Sequence, residues 1–349
     1  MGRSLPFAKF HGAGNDFVVV DGRAAGGRHH AEPALATDWP ALARRLCDRH
    51  FGVGADGLLV AAPPSGAGAA QRMRMFNPDG SEAEMCGNGL RCFVRWLVER
   101  GEVPPGTTLA VETGAGVLAV EAGLDGRIAA QMGPPMLRPA EIPLAPRAAE
   151  GQPGDGPVLR LPLRVPQGEF EATCVSMGNP HAVVFVPDVA GIALEAVGPA
   201  LERHPAFPQR TNVEFCQVLS QDRLRVRVWE RGAGITLACG TGACATVVAA
   251  RLRGAVGPRV TVELPGGELE VAWPGAPGAP GAPGMPAEAG RLDGRRSLPP
   301  VVLRGPVVHV FDGAWLDPVP HHVPGSGGEL TARSQGGRRP AGLGAWSPE

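Results

Sequence analysis

The chain reads as an α+β protein, dominated by strands and built from two pseudo-symmetric halves. Three features point there: short strand-type apolar runs recur along its length, helical patterns interrupt them, and one order of motifs is written twice. Its 349 residues, 44% of them hydrophobic, suffice for one large core or two ordinary ones.

Segments rich in Val, Leu and Phe, bounded by Gly, Asp, Asn or Pro, predict strands at Phe17–Asp21, Gly57–Ala61, Arg72–Phe76, Leu109–Glu112 and Val117–Glu121. A second series follows at Ala182–Val186, Val213–Leu219, Leu224–Trp229, Val260–Leu264 and Val307–Phe311. Helices are expected over Trp39–His50, Leu90–Glu99, Ile192–His204 and Gly242–Leu252. In the second of these, Leu90, Phe93, Val94, Leu97 and Val98 fall on one face. Gly and Pro, 51 and 37 residues, concentrate in three linker-like stretches: Pro146–Gly168, Trp273–Pro300 and Pro318–Glu349. The Pro-Gly-Ala triplets of the middle stretch are too few for a collagen helix and predict a solvated loop. The last stretch, with Arg333, Arg338 and Arg339 among Gly and Ser, is expected to be disordered.

Charge and cysteine usage exclude whole classes. A net charge of −1 with both signs interspersed leaves no footprint for nucleic acid. No apolar run reaches the roughly 18 residues of a membrane span, and the first residues carry no signal-peptide core, so a cytoplasmic protein is expected. Seven cysteines without a CxxC pair fit neither a disulfide framework nor a zinc ribbon. No Rossmann or P-loop fingerprint suggests a nucleotide, and neither a cofactor nor a metal is expected.

The repeat is the most informative feature. Gly14-Asn15 leads into an apolar strand pattern, and Gly178-Asn179 does so again. Met73-Arg-Met-Phe-Asn77 ends nine residues before Cys86-Gly-Asn-Gly89; Val226-Arg-Val-Trp-Glu230 ends nine residues before Cys239-Gly-Thr-Gly242. Each cysteine motif then opens an apolar helix. A thiol at a helix N-terminus is expected to have its pKa lowered, the N–H groups there can hold a carboxylate, and Asn88 and Thr241 suit capping. A pseudo-twofold axis would put Cys86 and Cys239 on opposite sides of a molecule bound between the halves. Removing a proton from one face and returning one to the other inverts a stereocentre, the requirement of a two-base racemase or epimerase.

Asparagine is scarce, and its five instances, Asn15, Asn77, Asn88, Asn179 and Asn212, cluster in these motifs. Amides donate and accept at once and suit a zwitterionic substrate, while Arg231 suits a carboxylate. Taken together, Lys9-Phe-His-Gly-Ala-Gly-Asn-Asp-Phe17, Arg49-His-Phe-Gly-Val-Gly-Ala-Asp-Gly57, Phe76-Asn-Pro-Asp-Gly-Ser81, Met85-Cys-Gly-Asn-Gly-Leu-Arg-Cys92, Met177-Gly-Asn-Pro-His181 and Trp229-Glu-Arg-Gly-Ala-Gly234 through Cys244 resemble the diaminopimelate epimerase family.

The resemblance implies two domains, each a barrel-like sheet around a central helix, with the active site in the cleft between them. The first would span 1–133 plus returning strands at 301–316 and the second 134–273, with an insertion at 274–300 and a tail at 317–349. It implies cofactor-independent interconversion of LL- and meso-2,6-diaminopimelate, with Cys86 and Cys239 as the acid/base thiols. Asn15, Asn77, Gly87, Asn88, Asn179, Asn212, Glu230, Arg231, Gly240 and Thr241 would bind substrate, and His181 and Glu230 would tune the thiols. A homodimer is the assembly it allows; Phe311 stands where the family often has a tyrosine linked to that contact. Two other readings compete: a two-cysteine racemase of the same fold acting on proline or hydroxyproline, and a thiol-dependent redox or metal-binding protein.

Overall fold

The computed structural model describes residues 4–23, 38–150, 156–275, 291–292, 295–296 and 298–316. The tail expected from Pro318 and most of the 274–300 insertion lie outside the described residues. In the first half, β1 (Ser4–Gly12), β2 (Asn15–Asp21), α1 (Trp39–Leu46), β3 (Gly57–Ala62), β4 (Gln71–Phe76) and β5 (Glu82–Ala83) precede α2 (Gly87–Glu99). It ends with β6 (Thr107–Thr113), β7 (Gly116–Ala122) and β8 (Ile128–Gln131). A 3-10 turn and the short α3 (Pro146–Ala149) lead to β9 (Val158–Val165), β10 (Gly168–Ser176), β11 (Pro180–Phe185), α4 (Leu194–Glu202), β12 (Asn212–Ser220), β13 (Arg223–Glu230) and β14 (Gly234–Thr236). Next come α5 (Gly240–Leu252), β15 (Arg259–Leu264), β16 (Gly267–Ala272) and a separate hairpin of β17 (Arg291–Leu292) and β18 (Arg295–Arg296). The described chain closes with β19 (Val302–Gly305) and β20 (Val308–Leu316).

Strand pairing reproduces the repeat. In the first half β20, β1, β2, β3, β4, β6, β7 and β8 pair in that order, with β2/β3 and β4/β6 parallel. In the second half β9, β10, β11, β12, β13, β15, β16 and β19 pair likewise, with β11/β12 and β13/β15 parallel. The halves join where β8 and β19 pair antiparallel, Ala130 opposite Leu303. Each joining strand then feeds the far edge of the other half, β8 leading to β9 and β19 to β20, so the exchange of edge strands is itself twofold.

Each sheet wraps one helix. α2 packs on β1, β2, β3, β4, β7 and β8, and α5 on β10, β11, β12, β15, β16 and β19. Enclosure explains why α5 is buried on all sides from Ala243 to Arg251, as a helix apolar all round must be. The parallel pairs are covered on both faces and read as continuous apolar runs. Phe17, Val19, Leu59 and Ala61 face α2 in the main core, while Val18, Val20, Leu58 and Val60 face α1 in an outer cluster. The second half repeats the layer, with Ala182, Val184, Val213 and Phe215 turned toward α4.

Two sequence expectations change. The linker expected at 146–168 contains β9, whose Leu161 and Leu163 are buried; it tolerates Pro162 because it pairs only with β10 and needs no N–H on its outer side. Trp39–His50 is helical only to Leu46, where the Cys47 N–H closes the last turn on Ala43 O.

The β1/β2 hairpin turns through Ala13 and Gly14, both at positive φ (53° and 81°), the geometry of a two-residue hairpin loop. This turn crosses to the second half. A Cβ on Gly266, in the β15/β16 hairpin, would lie 1.9 Å from Ala13 O, and one on Gly14 would lie 3.0 Å from Leu237 Cδ1.

In α4, a Cβ on Gly198 would lie 2.4 Å from the Trp229 ring. Gly to Ala inside a helix ordinarily stabilises by about 0.5–1 kcal/mol. Here overpacking reverses the sign: Gly198→Ala should lower stability by about 1–3 kcal/mol, read as a lower midpoint in urea denaturation.

Candidate functional site

The site starts from the two helix N-termini that the β8/β19 pair brings together. Cys86 is the N-cap of α2, in extended backbone conformation (φ −141°, ψ 119°), and its Sγ accepts from the Gly89 N–H at 3.4 Å. Cys239 caps α5 in the same way (φ −119°, ψ 117°), accepting from the Gly242 N–H at 3.3 Å. The capping role expected of Asn88 and Thr241 therefore belongs to the thiols, and those two residues lie in the first turn. Leu303 of β19 stands between the helix starts. A Cβ on Gly87 would meet Met132 Cε at 2.8 Å and Leu303 Cδ2 at 3.3 Å; one on Gly240 would meet Leu303 Cδ2 at 3.1 Å and Asn88 Oδ1 at 3.6 Å. These glycines are required by the contact between the halves themselves.

The lowered thiol pKa expected from the helix N-termini is overturned. Burial pushes Cys86 up against the effect of the Gly89 and Asn88 N–H groups, and Glu230 adds to the rise. Cys239 is pushed further, because Glu230 and Glu214 both add to burial. Desolvation of a charge outweighs a single helix dipole.

In the first half, Asn15 faces Cys86, whose Sγ lies 3.9 Å from Asn15 Oδ1. Asn88 Nδ2 donates to the same oxygen at 3.1 Å, and Asn15 Nδ2 donates to Asp56 Oδ2 at 2.8 Å. Behind them, Lys9 Nζ donates to Asp16 Oδ2 at 2.6 Å and to Gly54 O, while Arg49 Nη2 bridges Asp16 (2.8 Å) and Asp56 (2.7 Å). Asn77 sits at the end of β4, where its Nδ2 donates to Ser81 Oγ at 3.0 Å.

The second half places different chemistry on the same frame. By strand register, Phe17 opposite Gly57 corresponds to His181 opposite Asn212, and Leu59 to Glu214. Where α2 rests on two apolar side chains, α5 rests on a fully buried pair, His181 Nδ1 lying 2.7 Å from Glu214 Oε1. His181 Nε2 lies 3.0 Å from Asn179 Oδ1, Asn179 Nδ2 donates to Thr241 Oγ1 at 3.4 Å, and Thr241 Oγ1 lies 3.5 Å from Cys239 Sγ. Glu230, at the end of β13 where the first half has Asn77, accepts from Thr236 Oγ1 at 2.6 Å and bonds Cys239. Burial and the neighbouring Glu214 push its pKa up, against those bonds. Asn212 is buried with both ends committed to backbone, Nδ2 to Pro180 O and Oδ1 to the Arg231 N–H, each at 2.9 Å. Arg231 is exposed, its guanidinium donating to Gln209 O at 3.2 Å.

Sequence reasoning missed Glu214, Asp56 and Arg91. A carboxylate between Val213 and Phe215 in an otherwise apolar run was the signal for Glu214. The lone lysine, Lys9, was another, since its ammonium is sunk in this network at 6% exposure. Among the described residues no group of three His, Cys, Asp or Glu side chains could hold a metal ion, and no helix is long and apolar enough to cross a membrane.

Burial opposes ionisation of Asp16, yet hydrogen bonds from Arg49 and Lys9 hold its carboxyl well below the usual range. A depressed folded-state pKa stabilises fully above the unfolded value of about 3.9 and is lost as pH falls below it. Urea midpoints measured from pH 5 down to pH 3 should therefore fall, and more gently in Asp16→Asn than in the wild type.

Comparison with known proteins follows the same line. The family model described as diaminopimelate epimerase matches residues 7–137 and 173–278. Diaminopimelate epimerase 1 of Nostoc sp. is 52% identical over 271 residues, covering 77% of this chain and 92% of that protein. The diaminopimelate epimerase of Pelotomaculum thermopropionicum is 50% identical over 274 residues, with coverage of 77% and 92%. Among solved structures, a hydroxyproline epimerase from Agrobacterium vitis superposes with TM-score 0.61 at 17% identity, covering 91% of this chain and 95% of that one. A Bacillus anthracis phenazine biosynthesis protein of the PhzF family gives 0.59 at 17% identity, covering 90% and 100%. The structural likenesses establish the two-domain fold of paired strand-rich sheets; the sequence matches go further, and the chain belongs to the diaminopimelate epimerase family.

Proposed function

We propose that the chain interconverts LL- and meso-2,6-diaminopimelate, a step toward lysine and peptidoglycan precursors, without a cofactor, using Cys86 and Cys239 as a pair of proton carriers. The observation that carries this reading is the pairing of two thiol-capped helix N-termini across one pseudo-twofold axis, in a chain of this family. A thiolate on one side takes the α-proton, and the thiol on the other gives its proton to the opposite face. One C–H bond breaks, another forms, and the enzyme ends with its two protonation states exchanged. Burial and Glu230 raise both thiols; Glu214 adds to the rise of Cys239 and favours it as the thiol that holds its proton at rest.

First-turn N–H groups of α2 and α5 are suited to a substrate carboxylate and to the charge that develops on it as the α-proton leaves. Asn15, Asn77, Asn88, Asn179 and Thr241 would provide neutral donors and acceptors for the ammonium and carboxylate groups, with Glu230 and Arg231 offering charge at the margin. Asn212 would act at one remove, by holding the Arg231 backbone. The carboxylate and guanidinium fit an acyclic substrate with two charged ends better than a proline ring. Both thiols must stay reduced, and every described cysteine is unpaired, which favours the cytoplasm as the working compartment.

Incubation with LL-diaminopimelate in D2O, with no cofactor added, should give meso product carrying α-deuterium. Folded, reduced protein that yields neither would overturn the proposal. Cys86→Ala and Cys239→Ala should each lower kcat by about 10²-fold or more, since removing either carrier leaves one face without proton transfer.

For the assembly we propose a homodimer through β20. Its outer edge exposes Val308, Val310, Phe311 and Leu316, whereas its pseudo-symmetric counterpart β9 is guarded by Arg160, Pro162 and Arg164. Light scattering should give the dimer mass for the wild type and the monomer mass for Val310→Lys.

A further inference from the structure

The pseudo-symmetry breaks at one buried position that the proposed chemistry leaves unused. Aligning the two capped helices from their cysteines sets Arg91 against Cys244. Arg91 has no solvent exposure, and among the described residues it has no carboxylate partner. Its Nη2 donates to Asn88 Oδ1 at 2.8 Å, while Nε and Nη1 are buried without a hydrogen-bond partner. Two glycines make room for it: a Cβ on Gly12 would lie 3.1 Å from Nη2, and one on Gly305 would lie 3.3 Å from both Cζ and Nε. A twofold copy of the guanidinium is absent because the equivalent position carries a small thiol.

An unpaired buried guanidinium costs stability, and a hydrophobic residue of similar volume would serve the packing better. What it provides instead is direction. Asn88 could face either way by symmetry of its amide, but a guanidinium only donates, so Arg91 compels Asn88 to present Oδ1 to it and Nδ2 to Asn15. Asn15 must then accept with Oδ1 and donate with Nδ2, and Asp56, an acceptor, receives that bond. The chain Arg91, Asn88, Asn15, Asp56 thus runs donor to acceptor without a break, from a cation to an anion, and leaves Asn15 Oδ1 turned toward Cys86.

We propose that Arg91 is a positioning residue for the reaction, fixing the direction of the Asn88–Asn15 amide chain beside Cys86 and leaving one uncompensated positive charge next to the two capped helix starts; this rests on the two-thiol reading above. Its charge acts on Cys92, Cys86 and Cys244; of these only Cys86 is not fully buried, and there Arg91 opposes burial and the Glu230 carboxylate, which both raise the thiol. When the Cys86 sulfur or a substrate α-carbon carries negative charge, the countercharge is already in place and needs no reorganisation.

The test compares Arg91→Met, Arg91→Gln and Arg91→Lys by three measurements: melting temperature, kcat and KM with LL-diaminopimelate, and the rate of Cys86 alkylation by iodoacetamide, followed by peptide mass spectrometry. In Arg91→Met, kcat should fall about 10²-fold and Cys86 alkylation should slow by about tenfold or more, with an unchanged or higher melting temperature. Arg91→Lys, which keeps the charge, should recover most of both. A merely structural role predicts the opposite sign for alkylation, because a loosened helix start exposes Cys86 and speeds its modification. Faster alkylation with a lower melting temperature, or kcat and alkylation both at the wild-type rate, would overturn the inference. If Arg91→Met is insoluble, Arg91→Gln decides by the same two rates. Wild-type enzyme that fails to exchange the α-proton would remove the two-thiol reading instead, and the alkylation rates would still decide on Arg91.

Discussion

The antiparallel pairing of β8 with β19 is the constraint on which the rest of the site depends. It is the only ladder joining the two halves among the described strands, and Leu303 lies within it, touching the starts of both enclosed helices. Because each helix is wrapped by its own sheet, its orientation is set by that sheet; joining the sheets therefore aims the two N-termini at a common point. Gly87 and Gly240 follow from this, as do the two caps. A thiol caps each helix because the residue entering it must be extended and must accept an N–H, and sulfur can do so while remaining able to bind a proton.

Around this symmetric frame the chemistry is asymmetric, and it must be. A pair that moves a proton from one face of a carbon to the other works only if one member is ionised while the other is not. Identical surroundings would leave that choice to chance. The second half puts Glu214 and His181 beneath its helix, where the first half has Leu59 and Phe17, and it adds Glu230 where the first has Asn77. Glu214 and Glu230 both act on Cys239, and Glu230 on Cys86 as well, while Asp16 and Asp56 of the first half are paired with Lys9 and Arg49. On the side of Cys86 the helix also carries Arg91. The duplication was kept in the backbone and abandoned in the charges.

Much of this was legible in the sequence because backbone repeats leave spaced signals. The glycine-asparagine turns and the nine-residue interval before each cysteine survive in the letters, so the two halves and both thiols could be read. Strands also went unread: β16 alternates plainly and was simply missed, as was β10, whereas four others fail the simple patterns for specific reasons. β1 carries Lys9 and His11 amid its apolar residues, β9 carries Pro162, and β8 and β19 are four residues each. The last two are also the pair that joins the halves, so the most consequential contact was the least visible. The site residues divide similarly. Those at turns announce themselves by type, whereas Glu214 and Arg91 are charges inside elements whose pattern reads as apolar, and only the register shows what they face.

The pKa expectation failed for a reason that bears on the mechanism. A helix N-terminus contributes up to about 2 kcal/mol to an anion in favourable, partly buried geometry, whereas taking a charge out of water into a protein interior costs several kcal/mol. Dipoles alone therefore cannot hold a thiolate at the place where these helices meet, and both thiols rise. The same burial makes any full charge nearby act over a low dielectric, so its effect is larger than at the surface. A carboxylate there locks a proton onto its neighbour, and a guanidinium with no carboxylate of its own favours losing one. Glu230 raises both thiols, so in the proposed mechanism the two are told apart by Glu214, which raises Cys239, and by Arg91, which opposes the rise of Cys86.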